Sequence, residues 1–261
     1  MKTRLITGIV AGAVFLAFLY FGQYWFSALV LLLSVVGYDE YARMNKLRSK
    51  GILYLFGLVL LVLLVLPGIA WGPNNFEAYT WLLLFLLLFL TVATQNKTTI
   101  DDISTMFTGV LYMGFGFHYM IASRMLDNGL FWTLLTFVCI WASDSGAYFA
   151  GRLFGKRLLW PKISPKKTLE GLAGGILLSI AAALVFASLE PELLTYGYAV
   201  MLGATIAVIG TIGDLIQSAY KRVKGIKDTG TILPGHGGVL DRVDSWLIVF
   251  PFVHLMSLIP Q

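Results

Sequence analysis

Residues 52–72 read ILYLFGLVLLVLLVLPGIAWG, 21 positions without one charged side chain. A helix rises about 1.5 Å per residue, so about 20 apolar residues match the roughly 30 Å hydrocarbon core of a bilayer. This stretch alone is long enough to cross a membrane, and the same ruler carried outward finds eight more. The nine expected spans lie near 5–22, 23–38, 52–72, 78–94, 104–122, 130–150, 171–189, 194–217 and 243–260, with 23–38 the shortest. Composition points the same way: 58% of the 261 residues are hydrophobic and 13% charged, against about 45–50% and about 25% in soluble domains. An all-α, polytopic integral membrane protein is expected.

The remaining charges report orientation, because lysine and arginine favour cytoplasmic loops. With the N-terminus in the cytoplasm, 18 of the 19 bases fall on that side and only Arg124 falls outside. The outer loops near 67–77 and 189–194 carry no base. Nine spans then leave the C-terminus outside. The net charge of +5 is thus topological, and no nucleic-acid partner is expected. Lys2 and Arg4 precede the first apolar run as in a secretory signal, but no small-residue cleavage site follows, so the run is expected to persist as a span.

A single cysteine, Cys139, excludes an intramolecular disulfide and a thiolate zinc cluster, and His118, His236 and His254 are too dispersed for a compact histidine motif. Gly8 with Gly12 and Gly171 with Gly175 have the spacing that lets helix backbones approach. Such stripes permit a homodimer. Pro251 is expected to kink the last span, and Asp101-Asp102 reads as a solvated helix start. Two regions follow: 1–128, with about five spans, and 129–261, a catalytic region with cytoplasmic loops 151–170 and 218–242.

Chemistry-bearing residues collect in that second region. Asp144 lies within the sixth span and Asp214 near the inner end of the eighth. A carboxylate at the centre of a spanning helix costs about 2.5–3.5 kcal/mol on insertion scales, and such groups usually face an interior site. From Asp214 to Ser245 acids, bases and glycines alternate: Asp214, Ser218, Lys221, Arg222, Lys227, Asp228, Pro234-Gly235-His236-Gly237-Gly238, Asp241, Arg242, Asp244. Five of the fourteen residues 225–238 are glycine, a composition that lets backbone N–H groups reach phosphate oxygens. Asp214 and Ser218 share a helical face, as do Asp241 and Asp244 at the start of the ninth helix. Carboxylates beside lysines and arginines suit Mg²⁺ with a polyphosphate, since the hard cation takes one or two carboxylates and completes its shell with phosphate oxygens and water. In the first loop, Gly151-Arg152-Leu153-Phe154-Gly155-Lys156 is one residue short of a P-loop and lacks its Ser/Thr. Lys166 and Lys167 instead read as a clamp for phosphate or an anionic headgroup.

The run Ser218-x₂-Lys221-Arg222-x₄-Lys227-Asp228-x₅-Pro234-Gly235-His236-Gly237-Gly238-x₂-Asp241-Arg242-x-Asp244 resembles the signature of the phosphatidate cytidylyltransferase (CDP-diacylglycerol synthase) family. Ser143-Asp144-Ser145-Gly146-Ala147-Tyr148 with Gly151-Arg152-x₂-Gly155-Lys156, and the run from Pro161 to Gly171, match the family as well. One departure is Gln217, where relatives often carry glutamate before the signature serine. The resemblance implies a bacterial inner-membrane enzyme with a cytoplasmic active site that joins CTP to phosphatidic acid, giving CDP-diacylglycerol and pyrophosphate. It implies Mg²⁺ or Mn²⁺ held by Asp144, Asp214, Asp241 and Asp244, and admits a second cation. Lys227 and Asp228 join those four as catalytic residues. Lys166, Lys167, Ser218, Lys221, Arg222, Gly235, His236, Gly237, Gly238 and Arg242 would bind substrate.

Other readings compete less well. A secondary transporter needs a polar path through both leaflets, and no acid or base lies deep in the outer half of any span. A scaffold leaves the second loop unexplained. The chain has no Asp-Gly dipeptide, so the motif of CDP-alcohol phosphotransferases is absent. The nearest rivals are CTP-dependent enzymes of another lipid, a CDP-archaeol synthase or a polyprenol kinase.

Overall fold

A computed structural model describes residues 2–66, 76–231 and 237–260. The loop 67–75 and the expected site residues Gly235 and His236 lie outside the described residues. The chain divides into two compact units: Met1–Ala122 with Thr229–Leu240, and Ser123–Asp228 with Asp241–Gln261.

The first unit carries helices α1 (Lys2–Phe21), α2 (Gln23–Met44), α3 (Gly51–Val65), α4 (Phe76–Ala93) and most of α5 (Ile100–Met125). Gly22 alone separates α1 from α2, at φ 87°, a left-handed conformation that glycine adopts without a Cβ penalty. Phe15 and Phe26 meet at 6.0 Å across it, whereas eleven residues of unbroken helix would hold them roughly 16 Å apart. The chain therefore folds back at Gly22, and the second span is longer than the expected 23–38. Glycines then admit two tyrosines. Gly57 of α3 makes room for the Tyr38 hydroxyl and Gly109 of α5 for the ring of Tyr41, whose own hydroxyl donates to the Thr105 carbonyl at 2.7 Å. Asp102 accepts from the Thr99 backbone and hydroxyl, both at 2.9 Å, so the Asp101-Asp102 pair does start a helix. Gly12 has nothing within 4 Å of where a Cβ would stand, so no close approach is made there among the described residues.

In the second unit α6 (Gly129–Phe154), α7 (Leu169–Leu189) and α8 (Tyr196–Val223) pack in sequence order. Small residues bring backbones into contact. A Cβ on Gly171 would stand 2.9 Å from the Ala147 carbonyl oxygen, one on Gly175 2.9 Å from that of Ser143, and one on Gly203 2.9 Å from that of Ser179. The Gly171–Gly175 spacing thus serves packing, as expected.

The loop 151–170 is smaller than expected, because α6 continues to Phe154 and the rest forms an antiparallel hairpin, β1 (Leu158–Trp160) and β2 (Ser164–Thr168). Its base is tied by Glu170, which accepts from the N–H groups of Lys156 at 3.1 Å and Arg157 at 3.2 Å. This hairpin is the only sheet among the described residues. Loop 218–242 likewise loses 218–223 to α8.

Among the described residues, five helices are long and apolar enough to cross a bilayer: Tyr24–Met44, Leu47–Val65, Gly129–Phe154, Leu169–Leu189 and Tyr196–Val223. The chain is an all-α membrane protein. The segment expected as a ninth span follows α9 (Leu240–Val243) and contains α10 (Trp246–Leu255). Ten residues of helix reach about 15 Å, half the hydrocarbon thickness. Pro251 lies inside α10, four residues before its end.

Candidate active site

The second unit holds a cavity of about 370 Å³ lined by α6, the β1–β2 hairpin, α7, α8, α9 and the turn that leads into α10. That size lies within the range of small-ligand sites. Seven of the expected site residues face it: Asp144, Lys166, Lys167, Asp214, Asp241, Arg242 and Asp244. Ala147, Leu172 and Thr211 supply its less polar wall.

Local geometry explains why residues so far apart in sequence converge. On α8, Gly210 and Gly213 leave a bare strip of backbone onto which the turn before α10 settles. The Ser245 hydroxyl donates to the Gly210 carbonyl at 3.0 Å, and a Cβ on Gly213 would stand only 2.9 Å from the Asp244 carbonyl oxygen. Asp244 is thereby carried to the helix that bears Asp214, one residue after Gly213. Thr168 caps α7 by accepting from the Gly171 N–H at 3.0 Å, which sets β2 and its two lysines at the cavity.

Acids and bases pair around this space. Lys167 Nζ lies 2.6 Å from Asp214 Oδ2, and the Ser218 hydroxyl donates to Asp214 Oδ1 at 3.1 Å. Lys221 Nζ donates to Asp241 Oδ1 at 2.8 Å, and only 4% of that aspartate's side chain is exposed. Asp144 forms no ion pair with a base among the described residues, and Asp244 feels the charges of both Asp214 and Asp144. Three like charges near one another raise the electrostatic energy of the cavity, and bound positive charge lowers it.

No three of the described His, Cys, Asp and Glu side chains are grouped so as to hold a metal ion by themselves. The donor set nonetheless fits a magnesium ion shared with a polyphosphate, which needs only one or two carboxylates from the protein. Among the described residues, Asp144 and Asp244 are the cavity aspartates not in an ion pair with a base.

Several expected residues stand elsewhere. Arg222 donates from Nε to the Ile163 carbonyl at 3.2 Å and so braces the hairpin tip. Ser218 and Lys221 reach the site through the aspartates they hold. Lys227 and Asp228 are exposed and outside the cavity lining. Gly237 and Gly238 belong to the first unit, where Gly238 is pressed against the carboxylate of Glu40. The glycine-rich stretch therefore does not simply offer free N–H groups: those of Val239 and Leu240 donate to Glu40 at 2.9 and 3.0 Å.

Glu40 is the residue that sequence reasoning missed. The argument that marked Asp144, a carboxylate inside an apolar helix, applies to it equally. Ending the second span at 38 placed Glu40 in a loop, whereas α2 runs to Met44.

Similarity to known proteins decides the family. The model of the cytidylyltransferase family matches residues 2–259. The chain belongs to that family. It is 40% identical over 262 residues to the phosphatidate cytidylyltransferase of Bacillus subtilis (strain 168), covering 98% of this chain and 97% of the relative. It is 35% identical over 258 residues to the protein of that name from Staphylococcus haemolyticus (strain JCSC1435), covering 98% of each chain. The protein of that name from Staphylococcus aureus (strain COL) is 35% identical over 264 residues, again covering 98% of each.

Proposed function

We propose that this chain is a membrane nucleotidyltransferase that condenses CTP with phosphatidic acid to give CDP-diacylglycerol and pyrophosphate. The observation that carries the reading is the single cavity in which Asp144, Asp214, Asp241 and Asp244 meet Lys166, Lys167 and Arg242, in a chain alike over nearly its whole length to enzymes of that name.

An oxygen of the lipid phosphate attacks the α-phosphorus of CTP, the bond from that phosphorus to the bridging oxygen of the β-phosphate breaks, and pyrophosphate leaves. A phosphate monoester is largely ionised at neutral pH, with a second pKa of about 6, so no strong general base is needed. The work is to bring two polyanions together and to neutralise the leaving group. Lys166, Lys167 and Arg242 attract the phosphates, while Ser218 and Lys221 orient Asp214 and Asp241 by the bonds they make. Arg222 acts on the hairpin that carries the lysines.

Asp144, Asp214, Asp241 and Asp244 would hold Mg²⁺ or Mn²⁺, with a second cation admitted. When bound, the ion supplies charge neutralisation and alignment of phosphate oxygens. Lys227 would neutralise phosphates and the leaving pyrophosphate, and Asp228 with Gly235, His236, Gly237 and Gly238 completes the proposed set.

The cytoplasmic location of this chemistry and an inner N-terminus rest on the distribution of 18 of 19 bases, and nine spans rest on the lengths of the apolar runs. Relatives from bacteria favour the inner membrane. The open face at Gly12 leaves room for a homodimer.

Pyrophosphate release in detergent tests the reaction. It is expected with CTP and phosphatidic acid together, and not when ATP, GTP or UTP replaces CTP or diacylglycerol replaces phosphatidic acid. Release with diacylglycerol, or none with phosphatidic acid, overturns the reading.

A further inference from the structure

Glu40 is 1% exposed, on α2 in the first unit. It accepts from the Thr229 hydroxyl at 3.0 Å, the Val239 N–H at 2.9 Å and the Leu240 N–H at 3.0 Å. No cation pairs with it among the described residues. Fixed donors instead compensate the buried charge, as a carboxylate withdrawn from water requires.

The surrounding backbone is cut to fit this carboxylate. A Cβ on Gly230 would stand 2.5 Å from Glu40 Oε1, and one on Gly238 would run into both Glu40 and Thr229. One turn earlier on α2, Gly37 leaves space for Leu240, whose Cδ2 would lie 3.1 Å from a Cβ there. Thr229 and Leu240 are the two ends of the segment that groups with the N-terminal helices. One carboxylate therefore closes the base of that loop, and the residues immediately outside it are Asp228 and Asp241.

We infer that Glu40 is a positioning residue: it clamps the two ends of Thr229–Leu240 together and thereby sets where Asp241 enters the active site. The inference rests on the proposed role of Asp241. Glu40 touches no substrate. It acts through the backbone of Val239 and Leu240, whose direction fixes the residue that follows.

Glu40→Gln keeps the volume, but turns an NH₂ group or an uncharged oxygen toward donors that need a charged acceptor. Hydrogen bonds to a charged group weaken by an amount equivalent to roughly tenfold or more in an equilibrium. In full-length protein in detergent, the half-saturating Mg²⁺ concentration for pyrophosphate release is expected to rise about tenfold. The Val239 and Leu240 amides are expected to exchange hydrogen about tenfold faster, with exchange in α8 unchanged. Thr229→Val removes one bond and leaves the carboxylate, so it should shift both readouts the same way by less. It also keeps the test open if Glu40→Gln does not fold.

Faster exchange with an unchanged Mg²⁺ requirement in both variants would show a clamp that positions nothing and would overturn the inference. Unchanged exchange would overturn the clamp itself. A wild type that releases no pyrophosphate from CTP and phosphatidic acid would instead defeat the proposed function, and with it the positioning role, while the exchange measurement would still decide whether the clamp exists.

Discussion

Glu40 in the first unit and Asp244 in the second are both acidic groups at helix ends, and they are satisfied in opposite ways. Glu40 receives three hydrogen bonds from fixed donors and faces glycines that exclude anything else. Asp244 receives the N–H of its own neighbour Ser245 at 2.8 Å, opens on a cavity, and shares it with two other acids whose charge bears on it. A carboxylate whose acceptor capacity is filled by backbone is finished as a structural part. One left short of donors among like charges is held at an energetic cost that a bound cation can relieve. The contrast separates the acid that shapes a loop from the acids proposed to hold a metal.

The largest effect expected from this contrast is on turnover. Asp244→Asn and Asp241→Asn should each lower pyrophosphate release by about 10³-fold or more, at the upper end of what a lost charge-stabilising group costs. Asp244→Asn should at the same time leave the thermal midpoint equal or higher, because it removes one of several mutually repelling charges, whereas Glu40→Gln should lower it. Near-wild-type activity of both aspartate variants across a Mg²⁺ titration would place the metal elsewhere and dissolve the contrast.

Next in size is Lys227, which stands just before the clamped loop. In its proposed role on the departing pyrophosphate, Lys227→Ala should reduce kcat by about 10²–10³-fold and raise KM for CTP by much less. Lys224→Ala, three residues away and outside the family pattern, should change activity by no more than about two- to fivefold, as expected of a screened surface charge. Equal, small losses in steady-state kinetics would reduce the stretch to topological charge.

The smallest effects compare glycines. Gly213→Ala presses a methyl group against the backbone of Asp244 and Ser245, at 2.9 and 3.0 Å, where neither neighbour can rotate away. A loss of about 1–3 kcal/mol is expected in thermal unfolding, with lower turnover because Asp244 is displaced. Gly12→Ala meets nothing within 4 Å and should change stability by less than about 0.5 kcal/mol. Equal destabilisation by the two would mean that the α8 contact does not govern the turn.

Much of this protein was legible before any coordinates. Long uncharged runs can only be helices in lipid, because hydrocarbon leaves backbone groups no partner but their own segment. Asp144 and Asp214 stand out because ionisable groups are costly in apolar surroundings, Asp241 and Asp244 because they share a helical face among bases and glycines, and all four line the cavity. At the end of the chain, 243–260 is apolar enough for a span, and its helix among the described residues is α10, which starts only after the turn at Asp244-Ser245.

Sequence by itself determined the class of the protein, the family pattern and the inventory of charged groups, because hydropathy and residue chemistry are properties of the chain read locally. Tertiary structure alone decided which charge meets which. Lys167 holds Asp214, Lys221 holds Asp241 across 20 residues, Arg222 holds a carbonyl, and Glu40 gathers donors some 200 residues away. The physical reason is range. A hydrogen bond or ion pair forms within a few ångströms, and such distant side chains come that close where glycines admit them: those of α6, α7 and α8 in the second unit, and Gly37, Gly230 and Gly238 around Glu40 in the first.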